Sequence, residues 1–431
     1  MLSSSSKPAR GLFLFTTINL ALILLFAGVL RYNYLQLKHS HAVGTSVSHA
    51  AGAPDPHATG AGIFRGSFPD LLDYPEQFRF FHSTAFFHQS TILMYPAPLA
   101  LPYRFFFFFG SYAAPALVAA LLLLFTAMVV ILARTLIRRG LQPPLAVRFV
   151  LLTLLFAWPV WFCLKQGNFE FLIFGFIAAG VYAFWHRNPY LAAFCFAVAG
   201  SMKIYPLIFL GLLLAARRYR AFFLGLATTA GILLLSLWLE CPDIAVSWHG
   251  MTAGLAAFFS AYVTHYQIAQ CGLDHSLFGL VKLGLAASGH MDWMNNVARM
   301  GHLAYAYLAV VALSGLTLWI IRIRHLPPVN QVLALTVAAI MLPPVSFEYT
   351  LMHLYIPWVM LVLLAIQGRE AVFSGRRPLL VAYVFIAVLV SPLTEFWFHG
   401  WGMGGEMKAV LLLLLFILAL KFPFPETETT A

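Results

Sequence analysis

The stretch AVAGSMKIYPLIFL, residues 197–210, sets a lysine inside an otherwise apolar run. At bilayer depth a charged side chain costs about 3 kcal/mol unless it is paired or hydrated. Pro206 adds a second disruption, because the residue before a proline is pushed away from helical backbone. The flanking apolar segments, 190–202 and 204–216, are too short for perpendicular crossings. They read as two half-helices meeting at Lys203 in a cavity, since broken backbone at that depth survives only where protein or water satisfies it. The plainer alternative is a lysine reaching to the membrane surface along its own stem.

The rest of the chain agrees with a lipid setting. Of 431 residues, 61% are hydrophobic and 10% charged, whereas soluble domains are about half apolar and about a quarter charged. Such a chain is an all-α polytopic membrane protein. Its formal charge of +11 does not point to nucleic acid, because the cations fall in short clusters between apolar runs.

Twelve spans are expected, at 11–30, 112–134, 147–164, 168–185, 190–202, 204–216, 219–239, 303–321, 331–346, 350–367, 378–392 and 407–421. The first is long for a signal sequence and lacks a small-residue cleavage pattern, so it reads as an anchor. The segment 97–109, ending in a phenylalanine run, is apolar but short, and reads as re-entrant or interfacial. Arginines 134, 138, 139, 148, 187, 217, 218, 220, 322, 324, 369, 376 and 377 all fall on one side of this threading. The long connections 31–111 and 240–302 hold seven lysines and arginines between them. By the positive-inside rule both long loops are extracytoplasmic and both termini cytoplasmic. Residues 1–10 are then a cytoplasmic N-terminus, 11–421 a single transmembrane domain, and 422–431 a cytoplasmic tail.

Two clusters read as structural. Residues 39–62, with His39, His41, His49 and His57, lack cysteine or acidic partners at ligand spacing and read as a flexible linker, not a metal site. Cys163 and Cys195 are small buried hydrophobes. Whether Cys241 pairs with Cys271 is left open by the sequence.

Scarce charges gather at the outer junctions. GSFPDLLDYPEQFRFFHS, residues 66–83, carries Asp70, Asp73, Glu76, Arg79 and His82, with Tyr95 and Arg104 following. A carboxylate beside a cation and aromatic groups suits a general base near an anionic substrate. KQGNFEFLIF supplies Lys165, Gln166, Asn168 and Glu170; MLPPVSFEYTLMHLYIPW supplies Glu348, Tyr349 and His353. On the same side, Lys203 offers a compact point charge for a lipid-linked phosphate. TEFWFHGWGMGGEM, with Glu395 and His399, reads as an interfacial turn.

FPDLLDY with MYPAP, then QGN, AGSMKIYPLIFL and PPVSFEY, in this order, resemble membrane glycosyltransferases of family 87, over roughly residues 65–366. The resemblance implies a GT-C-like bundle of about twelve transmembrane helices with broken or re-entrant segments, its site carried by the first extracytoplasmic loop. It also implies transfer of a hexose, mannose in the family's known cases, from a polyprenyl phosphate to an envelope lipid or glycan acceptor, with inversion. Asp70 would be the base, since Asp70-Leu71-Leu72-Asp73-Tyr74 matches the family's D-[LF]-x-x-Y pattern. Lys203, Arg79 and Arg104 are expected at the donor phosphate, and Tyr74, Tyr95, Gln166, Asn168, Glu348 and Tyr349 at the substrates. No metal or other cofactor is required with those cations at hand.

The expected partners are membrane lipid, the polyprenyl-phosphate sugar and a glycolipid or glycan acceptor, in the plasma membrane with the site outside. Trp248, His249, Tyr262, His265 and Tyr266 are candidate acceptor contacts. This chain departs from the family in two places. Glu170 stands where many members have asparagine, and PVSFEY keeps the acid of the late motif but not its histidine. The competing readings are a secondary transporter, against which the one-sided siting of the charges stands, and a non-catalytic envelope subunit.

Overall fold

A computed structural model of the protein describes residues 96–424 apart from 108, 110–111, 156–157, 166–167, 265–273, 295, 367–379, 382–383, 386–387, 390–396, 399–400 and 403. The expected anchor 11–30 and linker 39–62 lie outside the described residues, as do Asp70, Tyr74, Arg79, Tyr95, Gln166 and Cys271. Cys241 is a free thiol.

The architecture is helical. In chain order the helices are α1 Ala97–Phe107, α2 Ala113–Arg138, α3 Pro143–Leu155, α4 Trp158–Lys165, α5 Glu170–Trp185 and α6 Pro189–Met202. A 3₁₀ turn, Tyr205–Phe209, leads into α7 Leu210–Ala215, followed by α8 Tyr219–Glu240 and α9 Ile244–Phe258. Then come α10 Leu277–Ala287, α11 Met291–Met294, α12 Val297–Ile321 and α13 Pro328–Met341. A seven-residue 3₁₀ segment, Glu348–Leu354, precedes α14 Tyr355–Ile366, and α15 Gly404–Lys421 is the last helix described. A two-residue hairpin pairs Trp397 with Gly402 and Phe398 with Trp401, which fits the turn expected there.

Among the described residues, four helical stretches are long and apolar enough to cross a membrane: Pro115–Arg138, Tyr219–Glu240, Ile244–Thr264 and Val297–His325. Leu123, Ile131, Val310 and Leu313 on α2 and α12 are largely exposed. Apolar patches of that extent face lipid in a membrane protein. At the centre stands α13, buried at every residue from Val329 to Met341 and, beyond Gln331, apolar but for Thr336, as a helix enclosed on all sides is.

The break at Lys203 is present. α6 ends at Met202, Lys203 is extended, and the 3₁₀ turn starts at Tyr205. A Cβ on Gly200 would lie 2.3 Å from Leu207 Cδ2, so glycine is what lets the returning segment close on α6. Asn188 caps the start of α6 by accepting from Leu191 N–H at 3.2 Å, a bond worth about 1 kcal/mol. α8 runs beside α6, with Thr229 Oγ1 donating to Ala197 O at 3.5 Å. The end of α8 and the Lys203 break therefore share one end of the molecule. The opposite end carries Arg187, Arg217 and Arg322.

Several sequence boundaries shift. The span expected at 147–164 is covered by α3 and α4, with 156–157 between them outside the described residues. In its described residues the connection 240–302 is largely helical. Its α9, continued by a π-turn Phe259–Thr264, starts beside Leu237 at the end of α8, where Met251 packs with Leu237, Ala97 and Ala100. It finishes beside the start of α12, where Phe259 stacks on Tyr305 at 5.4 Å. Tyr307 Oη then donates to Leu342 O at 2.9 Å, which puts the start of α12 at the end of α13. Both ends of α9 thus lie at the Lys203 end of the bundle, and the helix runs across that end. Its buried residues are Ser247, Gly250, Met251 and Gly254, all but the methionine small.

Candidate functional site

At that end, three segments of distant sequence converge: the start of α5, the α6–α7 break and the 3₁₀ segment Glu348–Leu354. Asn168 turns the chain into α5, its Oδ1 accepting Glu170 N–H at 3.0 Å and its carbonyl accepting from Cys163 Sγ at 3.3 Å. Glu170 follows in the first turn, where the helix dipole favours a negative charge. The side chain is completely buried.

A buried carboxylate needs compensation from several donors, and Glu170 has three. Lys203 Nζ bonds Oε2, while Tyr205 Oη donates to Oε1. His353 Nε2 lies 2.6 Å from the same Oε1 and 2.7 Å from Tyr205 Oη. His353 is 1% exposed and rests on the Phe174 ring, with centroids 6.0 Å apart.

Lys203 also lies over an aromatic face. Its Nζ is 4.5 Å from the centroid of Tyr349, a cation–π contact, and Tyr349 in turn stacks on Phe162 with a 21° interplanar angle. The lysine side chain keeps 12% of its surface exposed, against none for Glu170. The break, at which Lys203 alone takes extended backbone, is thus what aims the ammonium out of the helix and between Glu170 and Tyr349.

The residues next to Tyr349 are anchored elsewhere. Lys408 Nζ, near the start of α15, bonds both oxygens of Glu348 at 2.7 Å, and neither side chain is exposed. On the other flank, Asp274 Oδ1 accepts from Ser346 N–H and from Ser276 N–H, each at 2.9 Å. His275 N–H donates to Ser346 O at 3.0 Å, and Ser346 Oγ and Thr350 Oγ1 are 3.0 Å apart. Burial raises the Asp274 carboxyl above its usual range, against the opposing pull of Lys282 and of the two backbone donors. The 3₁₀ segment is long for its kind, since most run three or four residues. Its side chains reach Lys408, Lys203, His275 and Glu170 in turn.

Of the residues singled out in the sequence, Lys203, Asn168, Glu348 and Tyr349 come together at this end. Arg104 is on α1, whose Phe106 ring lies 5.9 Å from that of Phe169, beside Glu170. Glu170 and His353 stood at junctions the sequence singled out but were given no role, and Tyr205 and Lys408 were not singled out. The signal for each was present as a polar group in an apolar stretch: Glu170 and Lys408 are isolated charges on helices of this kind. Among the described residues, no three His, Cys, Asp or Glu side chains are grouped to hold a metal ion.

The model of a protein family described as glycosyltransferase family 87 matches residues 93–347 of the chain. That range contains Glu170, Lys203 and Tyr205 and ends before His353 and Lys408. No curated protein and no solved structure matches.

Proposed function

Because the chain belongs to glycosyltransferase family 87, and is therefore an integral-membrane transferase of sugars, we propose that it moves a hexose from a polyprenyl-phosphate donor to an envelope lipid or glycan. The sugar is mannose and the reaction runs on the extracytoplasmic side. The observation that carries this reading is Lys203, a cation at a helix break, partly exposed and seated on the Tyr349 ring. A single ammonium on an apolar, aromatic floor suits a phosphate attached to a long hydrocarbon chain.

Asp70 deprotonates the acceptor hydroxyl. The oxygen attacks the anomeric carbon from the face opposite the phosphate, and the bond from that carbon to the phosphate oxygen breaks. Its electron pair leaves with the polyprenyl phosphate, and the configuration inverts. Lys203, with Arg79 and Arg104, offsets the charge growing on the leaving oxygen, where a preorganised cation has most effect. Tyr74, Tyr95, Gln166 and Tyr349 contact the sugars. Asn168 and Glu348, bonded within the protein, serve this site by holding α5 and the Tyr349 segment in place.

The test is transfer from labelled polyprenyl-phosphate mannose in membranes holding wild type, Asp70→Asn or Asp73→Asn. Wild type should transfer, Asp70→Asn should lose about 10²–10⁴-fold in rate, as removal of a general base does, and Asp73→Asn should stay close to wild type. Equal rates in wild type and Asp70→Asn would move the base elsewhere. Absence of transfer from any polyprenyl-phosphate hexose would overturn the donor class.

A further inference from the structure

The donor phosphate meets Lys203 already engaged. Glu170 and Lys203 form an ion pair in which Glu170 is wholly enclosed while the lysine side chain keeps 12% of its surface exposed. A ligand that reaches this pair therefore approaches it from the lysine's side and not from the carboxylate's. Glu170 does not depend on Lys203 alone: Tyr205 Oη and His353 Nε2 both bond Oε1, and Lys203 alone of the three bonds Oε2. If the ammonium turns towards a ligand, the carboxylate keeps two of its three donors and stays seated.

We propose that Glu170 is an internal counter-ion that competes with the lipid phosphate for Lys203 and thereby drives release of the spent polyprenyl phosphate. This rests on the reading of Lys203 as the phosphate-binding cation. The donor is a phosphodiester with one negative charge. Cleavage of the sugar bond leaves a phosphomonoester, which carries between one and two charges near neutral pH. An unopposed lysine would hold the product more tightly than the donor, and turnover would stall on release, a step that limits many enzymes. With Glu170 at hydrogen-bond distance, the ammonium has a partner to return to, and the product loses its advantage. Glu170 acts through Lys203 and is a positioning residue.

The experiment is binding of farnesyl phosphate, with farnesol as the uncharged control, to the purified full chain in detergent. Wild type, Glu170→Gln and Lys203→Met are compared, with folding followed by thermal unfolding. Glu170→Gln should bind farnesyl phosphate at least tenfold more tightly than wild type, with farnesol binding unchanged. In transfer assays it should show deeper product inhibition and a first turnover faster than later ones. Loss of a merely structural contact would weaken both ligands alike. Glu170→Asp keeps the charge but draws it back from Lys203; it should show a smaller gain in the same direction, and it serves if Glu170→Gln does not fold. Unchanged or weaker phosphate binding in both Glu170 variants, with binding lost in Lys203→Met, would overturn the counter-ion role and leave the phosphate site intact. Binding indifferent to Lys203→Met would overturn both.

Discussion

Arg187 and Arg217 both adopt φ of 57°, the left-handed region that costs a residue with a side chain about 1 kcal/mol or more. Each closes a helix, with Asn188 N–H reaching back to Ala183 O at 2.9 Å and Arg218 N–H to Leu213 O at 2.8 Å. Glycine is the usual residue there, and arginine at both points reflects the charge needed at that end of the bundle. Arg217→Gly should therefore raise stability by about 1 kcal/mol, read by unfolding in detergent, while sugar transfer is unchanged. The Glu348–Lys408 pair makes the opposite case. Lys408→Met leaves a buried carboxylate without its cation and should cost about 3–5 kcal/mol, whereas Glu348→Met/Lys408→Met together should recover most of the loss. A double-mutant cycle on thermal unfolding measures both. Lys203 was legible in the sequence because a charge and a proline interrupt one apolar run. Lys408 was not, because its partner lies sixty residues away on a different element, and no local pattern records that distance.

Among the elements, the α6–α7 break is set by close packing as much as by Pro206. At Gly200 a methyl group would lie 2.3 Å from Leu207 Cδ2, and at Gly180 it would lie 2.4 Å from Phe196 Cε1. Gly200→Ala should push the 205–209 turn away from α6, move Tyr205 off Glu170 and reduce transfer more than stability. Gly180→Ala, distant from the charges, should lower stability by about 1–3 kcal/mol, as overpacking does, with smaller effect on the rate of the folded fraction. Paired assays of rate and unfolding midpoint separate the two. Helices α2, α5, α6, α8, α12 and α15 follow the hydropathy pattern closely. α9 escaped it because Ser247, His249 and Gly254 dilute its apolar character, and of its four buried residues all but Met251 are small.

For the molecule as a whole, the run of α9 across one end of the bundle decides the threading. In a cysteine-free background, Asp243→Cys and Ser288→Cys should both react with a membrane-impermeant maleimide from outside the cell, and Arg218→Cys only after permeabilisation. Labelling of Asp243→Cys and Ser288→Cys from opposite faces would make α9 a crossing. The general class was legible from composition, and the order of polar junctions was legible as a family resemblance. The network tying those junctions together was not, since Glu170 and His353 meet across 183 positions and only packing decides which buried polar groups become neighbours. The clamp of Lys408 on Glu348 has a consequence for biosynthesis. A nascent chain that has inserted every helix up to α14 still carries Glu348 without its cation, and the segment bearing Tyr349 lacks one of its ties. The site is therefore assembled only when the helix at 404–421 arrives, so an arrested or prematurely terminated chain is inert towards its lipid substrate and exposes an unpaired acid to membrane quality control.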